Sequence, residues 1–552
     1  VRFMSAAGRE MFGFAASEAA RLGLKINLNN DAGWNGSGGP WVKPADSMQK
    51  VVWKEMRVTG PQRFDAALEQ PETVEGFFRD VAVLAYPTPA SDQRIDKFAA
   101  KSGLGMSAAA ETPAAIAAAA GVARARVVDL TAQFRNGRGT WDVPAGDWTL
   151  VRFGHTSTGK NNYPAPTEGR GLDVDKLSRA PLDVHYDAFV GKVIGVTPDS
   201  ARTTAPAVTT VHIDSWEVGY QNWTPAFRDE FKTRRGYDPI TWLPTFAGRA
   251  VESAALSERF LWDVRRTISE LVNDHYATRM AERAHASGRL FSLEGYNNGP
   301  FDSLTYTGRA DIPIGEFWTT KDPTQLHASV KTMTSAGHIY GQNLIGAEAF
   351  TATDANGRQR HHPYSLKAIG DAAFCAGINQ FIFHRYSLQP WVDDRKPGMT
   401  MGPWGVEYER TATWWEQTKP WHDYLARCQH LLRQGRFVAD LCYLQSEEGF
   451  KNPMPPSQLK PAVPEGYDFD FCSDEIALTR MTVKDGRIVL ASGMSYRVLV
   501  LPEQRLMTPR LLRKIAELVR AGAAVIGAPP RHSPSLSGYP ASDDEVKQLV
   551  AE

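Results

Sequence analysis

Between Val208 and Tyr386 short apolar runs alternate with amphipathic stretches, and nearly every apolar run ends on a strongly polar side chain. Val208 to Ile213 runs into Asp214 and Glu217. Leu290 to Leu293 ends at Glu294, Ala310 to Gly315 at Glu316, Asn343 to Ala347 at Glu348, and Gln380 to Phe383 at His384-Arg385. Short strands alternating with helical stretches build a parallel sheet. An alternation this long fits a closed (β/α)8 barrel better than an open sheet. A charged group just after an apolar run must face water, a partner or a ligand. On consecutive barrel strands such groups point into one bowl at the C-terminal face of the sheet.

Two earlier runs also read as barrel strands, Leu24 to Asn30 and Leu150 to His155. That makes seven, and a closed barrel needs one more before Val1, so the chain is expected to be an internal fragment. Residues 51–148 have short alternating runs with Pro and Gly between them, and an Ala-rich tract from Ala108 to Ala120. They read as a β-rich insertion after the second barrel strand. The expected layout is therefore residues 1–50 as the first part of the barrel, 51–148 as the insertion and 149–410 as the rest of the barrel with its active face. Residues 411–552 read as a helical bridge and a small flavodoxin-like α/β unit, which carries no GxGxxG or P-loop fingerprint.

Length and charge narrow the function classes. At 552 residues the chain exceeds one core and is expected to form two to four domains. Lys+Arg and Asp+Glu are both 62, so no basic excess points to nucleic acid. No apolar run is long enough to span a membrane. Cys375, Cys428, Cys442 and Cys472 lack metal-ligand spacing and are too few for a disulfide scaffold, so they read as buried free thiols. The compartment stays open.

The chemistry concentrates where acids meet tryptophans and amides. The stretch Asp214-Ser215-Trp216-Glu217 continues to Asn222 and Trp223, and the loop Asn29 to Trp41 carries Trp34 and Trp41. Sugars offer C–H faces to aromatic rings and hydroxyls to amides and acids. Glycoside hydrolysis needs two carboxyl groups, one to protonate the leaving oxygen and one to activate water or attack carbon. Glu217 and Glu348, on well-separated strands, are candidates. Trp216 and Trp223 are expected to desolvate Glu217, which suits an acid. The bland alternative pairs each Glu with an arginine such as Arg309 or Arg385. His155 and His384 read as sugar ligands or as satisfied polar residues. His361-His362 read as a solvated loop, since adjacent residues rarely share an ion. Glu294, Glu316 and Asn30 read either as sugar contacts or as ligands of a hard cation.

The motifs NNDAGWNGSGGPW (Asn29 to Trp41), DSWEVGYQNWT (Asp214 to Thr224), RRGYDP (Arg234 to Pro239), GAEAF (Gly346 to Phe350) and FHRY (Phe383 to Tyr386) resemble glycoside hydrolase family 106, the α-L-rhamnosidases. The resemblance implies a (β/α)8 barrel with β-rich insertions and further C-terminal β-sandwich domains, which are expected to lie outside this chain. It implies inverting, Ca2+-dependent release of terminal L-rhamnose from a rhamnose-containing glycoside or polysaccharide. By motif, Glu217 is similar to the general acid, Glu348 to the general base and Asp214 to a supporting carboxylate. Glu316 is assigned to the metal, and Trp34, Trp41, His155, Trp216, Asn222, Trp223, Glu294, His384 and Arg385 to substrate. An inverting pair predicts carboxyl groups about 6.5–9.5 Å apart, and a retaining pair about 5 Å. The rival readings are a retaining β-galactosidase-like barrel with Glu348 as nucleophile, and a non-catalytic carbohydrate-binding barrel.

Overall fold

The computed structural model of the chain describes residues 2–197, 207–296, 298–319, 326, 328–353, 355–357, 359–386, 389–393, 395 and 404–552. Its centre is a curled parallel sheet of six strands in the order Ile26–Asn29, Val208–Ile213, Leu290–Glu294, Ile312–Trp318, Gly346–Thr351 and Gln380–Phe383. Sheet order follows chain order throughout. Among the described residues this sheet is a half-barrel of six strands and not a closed ring of eight.

The expected strand ending at His155 is not part of it. Leu150 to His155 lies in a long strand, Arg138–Ser157, paired antiparallel with Gln49–Ala67 and with Arg79–Pro87. An apolar run looks the same in a barrel and in a meander; only the pairing partner distinguishes them. The β-rich insertion therefore extends past Trp148 to Ser157. Its near half is not independent of the barrel: Val51, Leu84, Val151 and Phe153 share one core cluster with Val208, Val211 and Ile213 of the parallel sheet. Its far half, around Phe64, Leu130, Phe134 and Trp148, has a separate core.

Helices sit where the apolar spacing placed them. Ser253 caps Ala254–Leu271 by accepting the Leu256 N–H, and the helix buries Phe260, Leu261, Val264, Ile268 and Leu271 on the central core. Truncating one of these to Ala would cost about 2–5 kcal/mol. Phe227–Arg235 stops at Gly236, whose φ of 80° is left-handed and suits glycine. The helix before the Glu348 strand is described from Ala328 to Tyr340.

The C-terminal unit has four parallel strands in the order Phe469–Cys472, Leu441–Leu444, Val498–Val500, Ala524–Ile526. Phe469–Cys472 is an addition to the sequence reading. The unit is fixed to the half-barrel through buried Asp470, which accepts from His338 Nδ1 (2.9 Å), Ser335 Oγ (3.1 Å) and Tyr496 OH (3.0 Å).

Candidate active site

Strand register gathers the acids. Glu348 lies opposite Glu316, and Glu294 opposite Ile314, two residues before Glu316. Side chains alternate along a strand, so Glu294, Glu316 and Glu348 share one face. His212, opposite Ser292, belongs to the same face. Asp214 and Glu217 follow directly from the His212 strand.

Each acid has a distinct environment. Glu217 is exposed and accepts hydrogen bonds from Ser215 Oγ at 2.9 Å and Trp34 Nε1 at 3.3 Å. Glu348 accepts from Thr351 Oγ1, and His384 Nδ1 approaches it to 3.5 Å. Desolvation, together with the charges of Glu316, Asp214 and Glu217, pushes the Glu348 carboxyl up to about 8. Buried Glu294 is raised well above the usual carboxylate range by desolvation and then by Asp214 and Glu348; Tyr296 OH donates to it, and lies 3.3 Å from Glu316. Asp214 is also desolvated, yet His212 holds it below its ordinary value. Burial, and then the charge of Arg385, bring His384 down to about 4, so it is a neutral imidazole at neutral pH.

Among the described residues no arginine ion pair reaches Glu294 or Glu348. Arg309 pairs with Glu475, away from the site. Among the described residues the ion-pair neighbours of Glu294 and Glu348 are the histidines His212 and His384.

The tryptophans divide. Trp34 reaches Glu217. Trp41 is anchored in the core, with Nε1 donating to His185 Nδ1 at 3.1 Å and its ring stacked on Phe189. Trp216 is 5% exposed and packs edge-on against Tyr276, Phe301 and Tyr306. Trp223, 3% exposed, packs on Phe227. Buried Asn222 binds the Val51 N–H at 2.9 Å and the Ser102 carbonyl at 3.0 Å, which ties the insertion to the half-barrel. His155 is buried between Phe77 and Trp223, in the insertion sheet. These residues build the support beneath the bowl and do not form its walls. The alternation of large apolar and polar types in DSWEVGYQNW marks both kinds of position, and burial alone separates them. The desolvation expected at Glu217 therefore falls on Glu348 and Glu294.

Sequence reasoning missed His212, Tyr296 and Thr351. His212 Nε2 lies 3.7 Å from Asp214 and 4.0 Å from Glu294, while its Nδ1 is fixed on Ser292 Oγ at 2.9 Å. The available signal was parity, since His212 is two residues before Asp214 and therefore shares its face. His212, Asp214 and Glu294 offer ligand atoms all within 4.8 Å of one another. Glu316 is not in that group. The carboxylates are the donors calcium takes and the imidazole is not, so calcium fits Asp214 and Glu294. Two carboxylates leave most of its six to eight positions to water and sugar hydroxyls.

The α-L-rhamnosidase model of glycoside hydrolase family 106 matches residues 1–91 and 88–552. The chain belongs to this family. A protein of Formosa agariphila provisionally named a beta-glucuronidase is 40% identical to the chain over all 552 residues. The solved rhamnosidase of Novosphingobium sp. PP1Y has 26% identity and a TM-score of 0.89, over 100% of this chain and 66% of its own. The family-106 chain spans about half the length of the curated relative, 46%.

Proposed function

We propose that this family-106 chain carries the catalytic face of an inverting α-L-rhamnosidase, with Glu217 as general acid and Glu348 as general base. The observation that carries the reading is the arrival of Glu217 and Glu348 in one bowl, near enough for the charge of Glu217 to raise Glu348. Glu217, at the open rim, gives its proton to the leaving oxygen. Glu348, deeper and set between Thr351 and His384, takes a proton from the water that attacks the anomeric carbon from the opposite side. Trp34 and Ser215 hold the Glu217 carboxyl group in place. Asp214, after the same strand, supports it.

Held by Asp214 and Glu294, calcium would supply positive charge that offsets one of the carboxylates raising Glu348, and would take sugar hydroxyls. The glycone is proposed as neutral. Asp214, held below its ordinary value by His212, keeps a negative charge in the bowl that disfavours a sugar carboxylate, which argues for rhamnose over a uronic acid despite the name of the Formosa relative.

One observation favours exchanged roles. With its carboxyl at about 8, Glu348 carries a proton at neutral pH in the ligand-free protein, as a general acid must. Leaving-group dependence separates the two assignments. Replacing the acid by Gln cripples hydrolysis of poorly activated glycosides and spares aryl glycosides with acidic phenols. Replacing the base slows both. Glu217→Gln is expected to behave as the acid variant and Glu348→Gln as the base variant. The reverse pattern exchanges the roles, and full activity in either variant removes that residue from the mechanism.

A further inference from the structure

On the other side of the parallel sheet from the acids lies a cleft of 670 Å³. Ile345, Ile378 and Asn379 line it and directly precede the strands Gly346–Thr351 and Gln380–Phe383. The cleft therefore opens at the N-terminal ends of these strands, whereas the acids lie at the C-terminal ends. Residues 431–438 and Met494 close it from the C-terminal unit.

Its lining contains Arg433, Arg436 and His338, and no Asp or Glu. Arg433 Nε donates to the Asn379 carbonyl at 2.9 Å, which fixes the guanidinium and leaves its terminal nitrogens free of any carboxylate among the described residues. Burial lowers its pKa, and no acid offsets that. Arg436 lies against Gly493, where a Cβ would come within 2.0 Å of its Nη1, so the bare backbone of Gly493 accommodates the guanidinium. His338 is held in place by its Nδ1 bond to Asp470 and by stacking on Phe437 at 4.3 Å. Gln342 Oε1 is buried without a hydrogen-bond partner.

Three helices, Ala328–Tyr340, Pro363–Cys375 and Lys419–Leu432, end at this cleft. Each C-terminus contributes roughly half a negative charge. The two guanidinium groups face these helix ends, and no Asp or Glu in the lining neutralises them.

We propose that this cleft is a second carbohydrate site, which takes a sugar bearing a carboxylate or sulfate group. Arg433 and Arg436 hold the oxyanion, since planar guanidinium groups match carboxylate and sulfate oxygens. The volume suits one or two sugar rings. The proposal uses the family's glycoside chemistry and does not depend on which residue is the catalytic acid.

The test is calorimetric titration of the 552-residue chain with sodium glucuronate, glucose 6-sulfate and, as the neutral control, glucose. Millimolar binding of either anion is expected, weakened at least about tenfold in Arg436→Gln and by added salt. Arg436 is exposed, so this variant keeps the fold. Binding by one anion alone supports the cleft and identifies the group it reads. Affinity unchanged in Glu348→Gln, and an unchanged rate of Arg436→Gln on a neutral aryl α-L-rhamnoside, keep the cleft distinct from the catalytic bowl. Failure of both anions to bind, equal binding of glucose, equal affinity in Arg436→Gln, or loss of binding in Glu348→Gln would overturn the proposal.

Discussion

Glu316 and Glu348 face each other in register on neighbouring parallel strands, and the charge of one raises the other. The pair has a thermodynamic consequence. Glu348 moves from an ordinary 4.5 to about 8 in the fold. A carboxyl raised by folding binds its proton more tightly in the folded state. Its contribution is fully present below about pH 4.5 and is lost as pH rises to about 8. Glu348→Gln, which never ionises, is therefore expected to gain stability relative to the parent across that window, on the order of 2–4 kcal/mol at its upper end. Urea denaturation of both proteins at pH 4.5 and pH 8.5 reads the difference. Equal gaps at the two pH values would refute the shift.

Trp34 holds Glu217 through a single indole N–H. Trp34→Phe keeps a ring and removes that donor. We expect kcat to fall by about tenfold, in line with one lost hydrogen bond to a charged group, while KM changes little. A change in KM alone would make Trp34 a sugar platform with no hold on the acid.

Calcium, if it is held by Asp214 and Glu294, stabilises the folded chain by mass action. Millimolar Ca2+ should raise the melting temperature over a chelator control. Asp214→Asn should abolish the increment and Glu316→Gln should keep it. The opposite pattern would return the metal to Glu316.

Asn222 joins two units of the fold. Asn222→Ala leaves the Val51 N–H and the Ser102 carbonyl unpaired in the interior. A loss of about 1–3 kcal/mol in denaturant stability is expected, with KM for a small aryl rhamnoside unchanged. A raised KM with unchanged stability would make it a substrate contact.

The sequence made the acids legible because apolar strands ending in carboxylates have few structural explanations. Asp214, Glu294, Glu316 and Glu348 all come to one sheet face. What remained hidden depends on partners distant in sequence. Leu150 to His155 carries the same apolar run in either sheet, and its pairing with residues 51–56 decided the matter. Trp216 and Trp34 are chemically alike, and only packing against Tyr276 and Phe301 sends the first into the core. His212 was read as part of an apolar strand because nothing local shows that Ser292, 80 residues on, fixes its ring.

The central claim is that Glu217 and Glu348 act as an acid/base pair with water between them. Proton NMR of the sugar first released from an aryl α-L-rhamnoside tests it most directly. The account predicts β-L-rhamnose, appearing before mutarotation. α-L-Rhamnose as the first product, or no rhamnose released, would contradict it.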